Sequence, residues 1–186
     1  MKKSLLKIIC FSGILVSVLI YMNSVFMFKY GDGIYGLKKF YEQDSDTVDL
    51  LILGSSHAFE SFNTGILWDE FGISSFVLAG SEQPMWNTYY YLKEALKTQK
   101  PKLVIVEGFG TFLNYEYSDD SRIVKNNYGL KWSEDKIESL KVSTPEERWI
   151  EFFPEYCRYH NRYKEIGRED FLKDQGKPLY RNWKGF

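Results

Sequence analysis

Ser55, Ser56 and His57 follow Gly54 at the end of an apolar run, in the stretch LLILGSSHAFESFN from Leu50 to Asn63. A serine hydroxyl is a weak nucleophile at neutral pH and becomes a useful one when a base takes its proton and N–H donors hold the developing oxyanion. A buried strand that ends in Gly-Ser-Ser presents a hydroxyl where a substrate can reach it, and Ser56 is the candidate. The same spacing has a plainer use, because serine after a strand is a favoured helix N-cap. On this stretch alone, both uses stand open.

A serine needs a base, and the chain has two histidines, His57 and His160. His57 adjoins Ser56; neighbouring side chains diverge, so His57 is read, with Ser55, as lining the site rather than serving that hydroxyl. His160 lies among Arg158, Tyr159, Asn161 and Arg162, a setting that suits a surface or packing histidine. Glu82 and Glu107 stand near strand ends, where acidic residues also serve turns, and neither is assigned a role. Two histidines and two distant cysteines, Cys10 and Cys157, do not make a clustered zinc ligand set, so no metal and no cofactor are expected.

The elements that would position these residues form an α/β pattern. Val48 to Leu53, Ser75 to Leu78 and Leu103 to Val106 are short apolar segments bounded by Gly, Pro or polar residues, the signature of strands buried on both faces. Between the second and third, Pro84 to Lys97 carries Tyr89, Leu92, Ala95 and Leu96 at helical spacing, which makes a βαβ crossover. Ligands of such parallel sheets bind beyond the carboxyl ends of the strands, where Gly54 to His57 would stand. After Tyr115 a loop with Asp119, Asp120, Asn126 and Asn127 is expected. Helices follow, one opened by the box Thr144-Pro145-Glu146-Glu147 and running through Trp149 and Phe153, another over Glu155 to Ile166, and a last over Glu169 to Lys173.

Ahead of this domain, Lys2, Lys3 and Lys7 precede an uncharged stretch from Ile8 to Phe28, a length that spans a bilayer. Its length and its bulky Phe-Met-Phe end favour an uncleaved anchor over a signal peptide or a core helix, and the lysines place the N-terminus inside and the rest outside. Residues 1–29 are thus read as anchor, 30–47 as connection, Gly-rich from Tyr30 to Gly36 and then helix-like and polar around Leu37 to Gln43, and 48–186 as one domain. A formal net charge of -1 with no long basic stripe excludes the electrostatic footprint of a nucleic-acid binder. The 14 Tyr, 14 Phe and 5 Trp suit either a packed core or a groove that stacks on sugars.

Several ordered blocks resemble the SGNH, or GDSL-like, hydrolase superfamily. ILGSSHAFES is similar to that family's first block, with Gly54 at the glycine, Ser55 where aspartate is usual and Ser56 at the nucleophile. SFVLAGSEQPMW resembles the second, in which the N–H of Gly80 would join that of Ser56 in an oxyanion hole. LVIVEGFGTFLN is similar to the third, with Gly110 but with Phe112 where asparagine belongs and Asn114 out of register, a possible site-lining residue. FFPEYCRYHNRYKE resembles a stretch of membrane-anchored members from Gram-positive bacteria.

The resemblance implies a flavodoxin-like doubly wound parallel sheet and a membrane-anchored, extracytoplasmic acyl esterase or O-acyltransferase acting on acylated cell-surface polysaccharide. It also implies a late Asp-x-x-His, which this chain lacks, and about five strands where three are found. Two explanations stand: a truncated chain carrying the nucleophile half, or a complete envelope binding or assembly protein with a degenerate domain whose later helices cover the edge of the third strand.

Overall fold

The computed structural model describes residues 2–27, 31–113, 116–152 and 158–171. They divide into two units. Residues 31–113 and 116–146 form the sheet unit, while residues 147–152 and 158–171 group with the N-terminal helix rather than with the sheet.

The sheet unit is built on three parallel strands, β1 (Leu50–Gly54), β2 (Ser75–Ala79) and β3 (Leu103–Val106), in the order β2-β1-β3. Leu50 pairs with Ser75 on one side and Leu103 on the other, so β1 is central and all five of its residues are buried. Helices cover both faces, and the order is that of the first three strands of a flavodoxin-like doubly wound sheet. Leu51, Leu53, Phe76 and Leu78 point to one face and pack on Leu37 and Phe40 of α2 (Asp32–Phe40) and Tyr91 and Ala95 of α5 (Met85–Ala95). Leu50, Ile52, Val77 and Ala79 point to the other and meet Ala58 and Phe59 of α3 (Ser56–Ser61), Leu67 of α4 (Thr64–Phe71), and Phe62 and Ile73. Each fully buried large aliphatic or aromatic side chain contributes about 1.5–3 kcal/mol, which is what orders β1 between two helical layers.

β1 starts two residues later than its sequence suggests. The N–H groups of Thr47 and Val48 donate to Gln99 Oε1 at 2.9 and 3.1 Å, so a side chain takes the place of a neighbouring strand there. β3 forms the edge of the described sheet, with Leu103 and Val106 57% and 46% exposed. The stretch read as a connection contains α2, whose Leu37 and Phe40 belong to the main core.

Two helices stand where the sequence suggested a loop and a later start. Asp119 caps α6 (Asp120–Asn127), accepting from the Arg122 N–H at 3.0 Å, and Ser133 caps α7 (Glu134–Ser143). Their inner faces are partly polar. Asn87 Nδ2 donates to Asn127 Oδ1 at 3.0 Å and Ser139 Oγ at 2.9 Å, and Trp86 Nε1 donates to Ser143 Oγ at 3.0 Å. Thr144 proves to be the C-cap of α7, not the N-cap of a further helix; the following Pro145 favours the extended backbone found there, φ -142° and ψ 135°. Glu146–Glu151, His160–Lys164 and Arg168–Phe171 are short 3-10 turns. Phe153 and residues 155–157 and 172–173 lie outside the described residues.

In the other unit, α1 (Lys2–Phe26) contains the 24-residue span Lys3–Phe26, with an 18-residue window of mean hydropathy 2.3 in which no residue is buried, long and apolar enough to cross a membrane or to act as a signal sequence. The last carbonyls of any helix lack intrahelical partners. Here Arg162 supplies one: Nη1 donates to Phe26 O at 2.8 Å and Met27 O at 3.0 Å, while Nη2 bonds Asp170 at 3.0 Å.

Candidate functional site at the tip of the central strand

Gly54 ends β1 with φ +149°, a conformation side-chain-bearing residues avoid, and a Cβ there would stand 2.6 Å from Glu107 Cβ. Glycine thereby lets the residue just after β3 close over the tip of β1. Ser55 follows as the N-cap of α3, fully buried, with its Oγ accepting from the His57 N–H at 3.3 Å. Ser56 is the first helical residue. It is half-buried, and its hydroxyl makes no hydrogen bond among the described residues. The two serines therefore differ in use: Ser55 is the cap, and Ser56 carries the uncommitted hydroxyl.

Glu107 gathers the turn together. Its Oε2 accepts from the Ser55 N–H at 3.0 Å and the Ser55 hydroxyl at 2.6 Å, and its Oε1 accepts from the Phe109 N–H. Burial pushes the Glu107 carboxyl up, but these three donors and the neighbouring His57 outweigh it and hold the group below the ordinary glutamate value. The exposed His57 ring sets Nδ1 3.1 Å from Ser55 Oγ and lies against Phe109, ring centres 4.4 Å apart. Glu107–Ser55–His57 is thus a continuous hydrogen-bonded chain beside Ser56.

The loop after β2 forms the other wall. Gly80 lies beside the end of β1, but its N–H donates to Gly54 O at 3.2 Å, so in this arrangement the backbone occupies it. Ser81 bonds Asp32 at the start of α2, and Glu82 pairs with Arg122 of α6 at 2.7 Å, which turns its carboxylate to α6. A Cβ on Gly110 would stand 2.9 Å from Gln83 O, so the turn after β3 packs directly on the loop after β2. Of the residues singled out by sequence, Ser55, Ser56, His57 and Gly80 cluster at the strand tips. His160 lies in the other unit, exposed on its 3-10 turn, and Asn114 lies outside the described residues.

Glu107 is the residue whose role sequence alone did not assign. The signal was its position: in the order β2-β1-β3, the residue that follows β3 stands beside the one that follows β1. Compared with protein-family models, with curated proteins and with solved structures, the chain matches none of the three.

Proposed function

We propose that the chain is a membrane-anchored, extracytoplasmic SGNH-type acyl esterase or O-acyltransferase that acts on acylated cell-surface glycans, with Ser56 as its nucleophile. The observation that carries this reading is the division of labour between the serines: Ser55 takes the capping role, which leaves the Ser56 hydroxyl unbonded just past the tip of the central strand. Ser56 Oγ bonds to the acyl carbon to form a tetrahedral oxyanion, its proton passing by way of water to the ester's alcohol oxygen, which departs as the alcohol when its bond to the acyl carbon breaks and acyl-Ser56 remains. The Ser56 N–H holds that oxyanion, joined by the Gly80 N–H once its 3.2 Å bond to Gly54 is exchanged for the substrate. α1 is the anchor, with Lys2, Lys3 and Lys7 on the inner side and the sheet unit outside.

The full chain in detergent, given an acetyl ester, is expected to release acetate slowly, and Ser56→Ala is expected to abolish the release; equal turnover by both proteins removes Ser56 from the reaction. The engaged Gly80 N–H favours a second reading, a non-catalytic envelope binding or assembly module that keeps the strand-tip turn without an oxyanion hole. No turnover in the wild-type chain supports that module.

A further inference from the structure

Ser55 Oγ has one hydrogen to give and two lone pairs to receive with. It has three partners: Glu107 Oε2 at 2.6 Å, the His57 backbone nitrogen at 3.3 Å and His57 Nδ1 at 3.1 Å. A carboxylate only accepts, so the hydroxyl hydrogen points to Glu107. A backbone N–H only donates, so it uses one lone pair. The remaining lone pair faces Nδ1, and that contact is a hydrogen bond only if Nδ1 carries a hydrogen. In a neutral imidazole this leaves Nε2 bare. Phe109, 4.4 Å away ring to ring, packs on the imidazole, and the Glu107 carboxylate that orients Ser55 is itself fixed by two backbone N–H groups.

We infer that Ser55 and Glu107 are positioning residues that hold His57 as its Nδ1–H tautomer, so that Nε2 is the proton acceptor of the site. This supplies a base from within the first turn of α3, although no Asp-x-x-His occurs in the chain. Its use in acyl transfer rests on the esterase reading. There the hydroxyl oxygen of the acceptor, water or sugar, bonds to the acyl carbon of acyl-Ser56 while its proton passes to Nε2. The acyl–Oγ bond then breaks, and the Ser56 oxygen regains a proton from Nε2 through a water molecule, which restores the neutral imidazole.

The test reads the tautomer directly. The full chain labelled with 15N-histidine in detergent micelles, at a pH well above the ordinary histidine range, is observed by NMR, where protonated and bare ring nitrogens resonate in separate ranges. The chain has two histidines, so His160→Gln leaves one imidazole and assigns it. Expected is a protonated Nδ1 and a bare Nε2 in the wild-type background, with the preference lost in Ser55→Ala and Glu107→Gln. A protonated Nε2, or an even mixture, in the unmutated relay overturns the inference without Ser55→Ala or Glu107→Gln having to fold.

A second arm measures the rate of Ser56 labelling by a fluorophosphonate. Loss of at least about 100-fold in His57→Gln supports Nε2 as the acceptor, and an unchanged rate overturns it. If the wild-type serine takes no label while the Nδ1–H form is found, the esterase reading falls and the relay stands.

Discussion

The Ser55 hydroxyl donates to Glu107 Oε2 across 2.6 Å, joining the residue after the central strand to the residue after the edge strand. The bond is short because its acceptor is charged. It closes the turn on which Ser56 is displayed, and several consequences can be measured.

Ser55 and Ser56 are expected to separate in stability. Ser55→Ala removes the N-cap of α3 and a buried donor to Glu107, a loss of about 1–2 kcal/mol. Ser56→Ala removes an unbonded hydroxyl and is expected to cost less than about 0.5 kcal/mol. Thermal unfolding of the two full-length variants in detergent, followed by near-ultraviolet circular dichroism, measures the difference; equal losses would show that the two serines share the capping role.

Acidification is expected to weaken the turn through Glu107. Its carboxyl is held below the ordinary value of 4.5, so as the pH falls past that point the unfolded chain takes up the proton first and stability declines until the folded carboxyl is protonated too. Above that window the contribution is fully present. Asp119 and Asp135 are lowered in the same way, so the informative quantity is the wild-type pH slope minus that of Glu107→Gln, expected to be positive below about 4.5 and near zero at neutral pH. A slope unchanged by the substitution would show that Glu107 is not held in its ionised form.

Gly54→Ala is expected to be among the most damaging substitutions in the sheet unit. The added methyl both requires φ near +149° and meets Glu107 Cβ at 2.6 Å, so the loss is about 2 kcal/mol or more. Urea unfolding compares it with Gly72→Ala, where φ is +65° and nothing lies within 4 Å of the new methyl. A loss at position 54 no larger than at 72 would mean that Glu107 moves aside freely.

How much of this was legible in the sequence follows from what drives each element. β1 and β2 announce themselves as unbroken apolar runs because both of their faces are covered, whereas β3, equally apolar in sequence, is partly exposed at the edge; the order β2-β1-β3 is set by the strand pairing and was not legible from the single crossover. α6 and α7 were hidden because part of what they bury is polar: Asn127, Ser139 and Ser143 face Asn87 and Trp86, and a helix held by side-chain amides and hydroxyls shows little apolar period. Thr144 carries a helix-start pattern, yet it ends α7, since the preceding turns were already committed to Asn127 and its neighbours. The strand-tip serines were legible as a pair, but which one caps depended on Glu107, fifty-two residues away.

α1 is expected to hold the full chain in the membrane pellet, resistant to high salt and released by detergent. Release by salt alone would remove the anchor from the account.

The central claim is that Ser56 carries an activated hydroxyl, and the site of a covalent adduct tests it most directly. The full chain in detergent is treated with a fluorophosphonate, digested, and the peptide spanning Leu50 to Asn63 is sequenced by mass spectrometry. The expected result is a phosphonyl adduct on Ser56 alone, absent from Ser56→Ala. An adduct on Ser55, or no adduct anywhere in this peptide, would contradict it.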